Sequence, residues 1–107
     1  MDNSTNVKSL PNLVKDIIFY YVKFYYEKYL KEHSIDKMND DDIEKFLDIY
    51  YTEKQQDLKD YIRKSLKKNQ GSDYNSIATE NILLEIFTDT EMAKERIRLE
   101  INDFQNN

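Results

Sequence analysis

Apolar side chains recur at intervals of three and four residues in successive stretches of this chain, and polar residues fill the gaps between the stretches. After Pro11 come Leu13, Val14, Ile17, Ile18, Tyr21, Phe24 and Tyr25, a spacing that predicts an amphipathic helix over residues 11–32. Proline fits the first turn of such a helix, where its missing N–H has no partner to lose. The pattern lapses at "EHS", where the helix is expected to stop.

The next start is "NDDDIEKFL". Asn39 can cap a helix by accepting a backbone N–H bond, and Asp40, Asp41 and Asp42 would sit at the positive end of its dipole. Ile43, Phe46, Leu47 and Tyr50 form the stripe of a helix over 40–51. Thr52 and Gln55 have capping-box spacing, so a new helix is expected over 53–68 with Leu58, Tyr61, Ile62 and Leu66 inward. A single rod from 40 to 68 is the alternative; at roughly 43 Å it would be long for so small a domain.

Lys67 and Lys68 suit the negative end of that helix, and Gly71 suits a left-handed exit. A helix over 76–87 follows, with Ser76 as its cap. Ile77, Leu83, Leu84, Ile86 and Phe87 make it apolar on more than one side, the mark of a central helix. "TDTE" gives a capping box from Thr88 to Glu91, and Ala93, Ile97, Ile101 and Phe104 line a last helix over 89–104. Residues 1–9 and the final "QNN" lack periodicity and are expected to fray. The pattern predicts an all-α fold: one domain over 10–105, a small irregular bundle of four to five helices.

Composition agrees. The 107 residues suffice for one core, and a single glycine and a single proline leave little material for tight hairpins. There is no cysteine, hence no disulfide framework and no thiolate chemistry. The net charge of −5 opposes unspecific binding to phosphate backbones. No apolar run approaches a membrane span, and the N-terminus lacks a signal-peptide pattern, so an intracellular, cytoplasmic or nuclear, location is expected. The abundance of lysine, asparagine, isoleucine and tyrosine is that of AT-rich genomes, cellular or viral.

The helix over 11–32 carries more aromatic surface than one face can use. On a helical wheel started at Leu13, the residues Leu13, Phe24, Ile17, Tyr21, Val14, Tyr25 and Ile18 cover about 0° to 140°. Tyr29, Val22, Tyr26, Phe19 and Leu30 continue over about 160° to 260°, interrupted by Lys15. Either this helix is central, or its second face is covered by another chain. Tyrosine favours boundaries where its hydroxyl stays wet, and is enriched at protein contacts. The expected function is therefore a non-enzymatic interaction module: a homodimer or a subunit of a larger assembly, docking through Phe19, Val22, Tyr26, Tyr29 and Leu30.

Other chemistries fit less well. His33, the sole histidine, reads as a cation at a helix end. "DKMNDDDIE" fails the EF-hand pattern: counted from Asp36, the sixth residue is Asp41 and the twelfth Leu47. There is no nucleophile elbow or glycine-rich phosphate loop, so no enzyme, cofactor, metal or small-molecule substrate is expected. The basic cluster in "YIRKSLKK" (Arg63, Lys64, Lys67 and Lys68) is the runner-up, a local nucleic-acid patch on an acidic protein. From "LKDYIRKSLKKN" onward, the order of short helices and the small acidic character resemble adaptor proteins of transcription and mRNA export. The resemblance rests on general helical patterning.

Overall fold

The computed structural model describes residues 9–106. The tail expected over 1–9 lies outside them except for Ser9, which caps the first helix by accepting from the Asn12 N–H at 3.4 Å. Five α-helices follow in order: α1 (Leu10–His33), α2 (Asp40–Leu47), α3 (Gln55–Gln70), α4 (Ser76–Thr88) and α5 (Thr90–Asn106). A π-helical turn, Asp48–Glu53, joins α2 to α3, and a 3₁₀ turn, Gly71–Asp73, follows α3. The fold is a small all-α bundle, 45 × 31 × 22 Å, its shortest dimension two helices deep.

Most boundaries follow from the expected chemistry. Asn39 and Asp42 form a reciprocal capping box at 2.8 and 3.1 Å. The α1 helix ends at Ser34 in the left-handed region, with φ 53°. Gly71 leaves α3 at φ 56° and ψ −123°, a backbone geometry that disfavours any side chain.

Three caps differ from expectation. Asn75, not Ser76, caps α4 through a 3.0 Å bond from the Ala78 N–H. Asp89, not Thr88, receives the Met92 N–H at the start of α5, at 3.1 Å, because the Thr88 hydroxyl donates back to the Leu84 carbonyl. The expected Thr52–Gln55 box is not formed. The chain does break between α2 and α3, but at Lys54, whose N–H donates to the Ile49 carbonyl five residues back, at 3.0 Å. That wider turn takes up one residue more than an α-turn. It lets Phe46 and Leu47 before it, Tyr51 within it, and Leu58, Ile62 and Leu66 after it all enter one core.

Helix α1 lies at the centre. The α3 helix covers one flank, with Tyr21 and Tyr61 at 5.4 Å between ring centroids. The other flank meets α5, where Phe104 packs on Phe19 at 5.2 Å and on Tyr26 at 5.3 Å. A bidentate Arg98–Glu44 pair, with Nε to Oε2 at 2.8 Å, ties α5 to α2. Helix α4, expected at the centre, is an outer helix. It buries Thr79, Leu83 and Phe87 and leaves Ile77 and Leu84 in water, so its second apolar side is solvent-facing.

Candidate functional site

The docking face expected on α1 is largely internal. Val22, Tyr26 and Tyr29 are buried, the two tyrosines at 7% and 2% exposure, while Phe19 and Leu30 are half-buried. The polar tips are satisfied from within the chain. The Tyr26 hydroxyl donates to Gln105 Oε1 at 3.2 Å, and the Tyr29 hydroxyl donates to Asp42 Oδ1 at 3.1 Å. Gln105 also accepts from the Met38 N–H and donates Nε2 to the Met38 carbonyl. Thus the tyrosines tie α1 to α2 and α5 instead of presenting wet hydroxyls to a partner. Burial raises the pKa of both, and the Asp42 bond adds to the rise at Tyr29.

The buried arc straddles the two expected arcs: it runs from Tyr21 through Val14, Ile18, Tyr29 and Val22 to Tyr26. The aromatic surface left over lies elsewhere. Tyr20 and Phe24, one turn apart, are 64% and 61% exposed. Leu13 and Ile17, half-buried, prolong the strip toward the N-terminus, and Tyr61 of α3 edges it at 44% exposure. Lys23, Glu27 and Lys31 are exposed alongside.

His33 sits in the last turn of α1, stacked on Tyr29 at 3.9 Å, with its Nδ1 hydrogen-bonded to the Tyr29 carbonyl at 3.0 Å. The basic cluster on α3 is only partly available. Arg63 is held by Glu80 through two bonds of 2.7 and 2.8 Å and by Asp60 at 2.8 Å. Those carboxylates raise the arginine pKa, and Arg63 in turn lowers that of Glu80. Lys67 lies over the Tyr74 ring at 5.5 Å, while Lys64 and Lys68 are exposed. A guanidinium already gripped by two side-chain carboxylates is a poor phosphate ligand.

A cleft of about 600 Å³ opens between the N-terminal half of α1, the π-helical turn, the end of α4 and one side of α5. Its apolar wall includes Ile18, Tyr51, Leu58, Ile86, Phe87 and Ile97. Tyr51 and Phe87 stack at 5.6 Å, 19° from parallel. Two polar atoms in the lining are buried without a hydrogen-bond partner among the described residues: the Tyr51 hydroxyl and Glu100 Oε2. Burial pushes the Glu100 carboxyl up to about 7; Arg96 draws it down and Asp103 adds to the rise. Burial, with Asp89 nearby, pushes the Tyr51 phenol up to about 12.

Sequence reasoning missed this cleft, although one signal was present. Ala93, Ile97, Glu100 and Phe104 share one apolar stripe at spacings of four, three and four, and Glu100 interrupts it. Lys15, the interruption noted on α1, lines the same cleft. Among the described residues no group of three or more His, Cys, Asp or Glu side chains is arranged to hold a metal ion, and no helix is long and apolar enough to cross a membrane. No protein-family model matches the chain, and comparisons with curated proteins and with solved structures find no match.

Proposed function

We propose that this chain is a non-enzymatic protein-interaction module that self-associates through the aromatic strip of α1 that faces solvent. The observation that carries the reading is the exposure of Tyr20 and Phe24, 64% and 61%, on a helix whose other aromatics are packed into the core or against its edge. Each ring meets one neighbour edge-on, Tyr20 on Phe19 and Phe24 on Tyr25, and most of its surface stays in water; covering that surface is what a partner supplies.

The strip is self-complementary. A two-fold axis near Phe24, with the two α1 helices antiparallel, stacks Phe24 on its mate. It sets Lys23 of one copy against Glu27 of the other, twice, and brings Lys31 over the Tyr20 ring of the opposite copy. A strip this narrow makes a weak dimer, at the low end of interface size.

The test is molar mass by light scattering across a concentration series, on the parent chain and on Phe24→Glu. The expected result is a concentration-dependent dimer that Phe24→Glu converts to a monomer without changing its melting curve. Tyr26→Glu, which places a charge against Phe104 and Gln105, is expected to unfold the chain. A parent that stays monomeric at the highest attainable concentration overturns the reading.

A further inference from the structure

The cleft beside α5 has features that packing alone does not require. Tyr51 is 1% exposed, yet its hydroxyl has no hydrogen-bond partner among the described residues. Leaving such a group unpaired is costly, and an ordinary core avoids the cost by placing phenylalanine there. Glu100 Oε2 is in the same condition and lines the same cleft. Tyr51 also sits in the π-helical turn, a distortion that recurs at functional sites. The volume, about 600 Å³, falls within the range of small-molecule pockets.

The charge around the cleft selects the ligand. Lys15 comes from α1, Glu85 from α4, Asp89 from the α4–α5 junction, and Glu95, Arg96 and Asp103 from α5. With Glu100 these make five carboxylates against two cations. An anionic ligand meets net repulsion there, and a neutral one leaves the Glu100 carboxylate unpaired above neutral pH. We propose that the cleft binds a small apolar amine. Its hydrocarbon or aromatic body lies against Ile18, Phe87 and Ile97, and its ammonium donates hydrogen bonds to Glu100 Oε2 and to the Tyr51 hydroxyl oxygen. Both orphaned atoms can accept, and a single ammonium carries three donors, enough in number for the two. Arg96 makes no hydrogen bond to Oε2, which leaves that oxygen free for the ligand. Nothing in this proposal depends on the aromatic strip of α1.

Three probes that share a phenyl body separate the chemistry: phenethylamine, phenethyl alcohol and 3-phenylpropanoate. Binding is read by amide chemical shifts in the full chain at pH 8 and pH 5.5. At pH 8 the amine is expected to bind about tenfold more tightly than the alcohol, the scale of one charge-assisted hydrogen bond, and the carboxylate weakest of the three. At pH 5.5 the preference for the amine narrows, because Glu100 is then protonated while the ammonium keeps its charge. Glu100→Gln abolishes the preference at pH 8 while its melting temperature stays at or above the parent's. Tyr51→Phe, which keeps the ring, weakens the amine by about threefold. Equal affinity for amine and alcohol at pH 8, an unaltered preference in Glu100→Gln, or no saturable shift with any probe overturns the assignment.

Discussion

Tyr26 and Tyr29, at the junction of α1 with α2 and the end of α5, are buried with their hydroxyls bonded to Gln105 and Asp42. Tyr51, in the π-helical turn, is buried more deeply than Tyr26 and its hydroxyl has no hydrogen-bond partner among the described residues. The residue type is the same and the burial similar. What differs is the reach of the neighbours. Gln105 and Asp42 bring acceptors to the first pair, whereas the Phe87 ring stacked on Tyr51 brings none and the nearby Asp89 carboxylate makes no bond to its hydroxyl. One region is closed by its own polar ties; the other borders a cleft and leaves its polar tip untied. The closed region holds the fold, and the open one has capacity for something else.

The contrast can be broken most strongly at its aromatic supports. Phe46, 1% exposed between Tyr29 and Tyr50, belongs to the closed side. Phe46→Ala is expected to lose about 3–5 kcal/mol in urea unfolding. Phe87→Ala is expected to lose less than half of that, since part of the ring borders the cleft instead of packed side chains. Equal losses would show that the cleft is packed as tightly as the junction.

Gln105 gives the next largest effect. Gln105→Ala removes the acceptor for the Tyr26 hydroxyl and both bonds to the Met38 backbone. The expected loss is about 2 kcal/mol, accompanied by faster amide exchange at Met38. An unchanged exchange rate there would mean that the closed side does not depend on this tie.

The smallest effect sharpens the comparison from the open side. Glu100 keeps its proton to about pH 7 in the folded chain, against an ordinary value of 4.5. Between those values the native state binds more protons than the unfolded one, so stability falls as pH rises from 4.5 to about 7 and stays low above. Glu100→Gln removes that fall. After allowance for partial solvent screening, the variant is expected to be about 1 kcal/mol more stable than the parent at pH 8 and equal to it at pH 4. Denaturation midpoints at the two pH values check it.

Much of the fold was legible from spacing alone. Five helices, the Asn39 cap, proline at the start of α1 and the exit at Gly71 all follow from local chemistry, which a sequence states directly. Which arc of α1 is buried was not legible. A helical wheel shows that α1 is apolar nearly all round; only the positions of α3 and α5 decide that Tyr26 is covered and Tyr20 is not. The same limit hid Gln105, whose bonds to Tyr26 and Met38 cross 79 and 67 residues of chain, and it made α4 look central when it is peripheral. The cleft left one trace, the carboxylate of Glu100 on an apolar stripe, and a lone charge there has no meaning until its surroundings are known. In the sequence Arg63, Lys64, Lys67 and Lys68 look like one patch, because the partners of Arg63 lie partly on another helix: Glu80 is 17 positions away.

The turn at Asp48–Glu53 has a consequence for how this protein can vary. Its wide winding acts as a phase setter between two rods, so the side chains after it point correctly only for one count of residues within it. Deleting a single residue there would tidy the winding and swing Leu58, Ile62 and Leu66 away from the interior together. The count of residues at this joint is thereby fixed, and that constraint bears on backbone atoms rather than on the identity of any side chain.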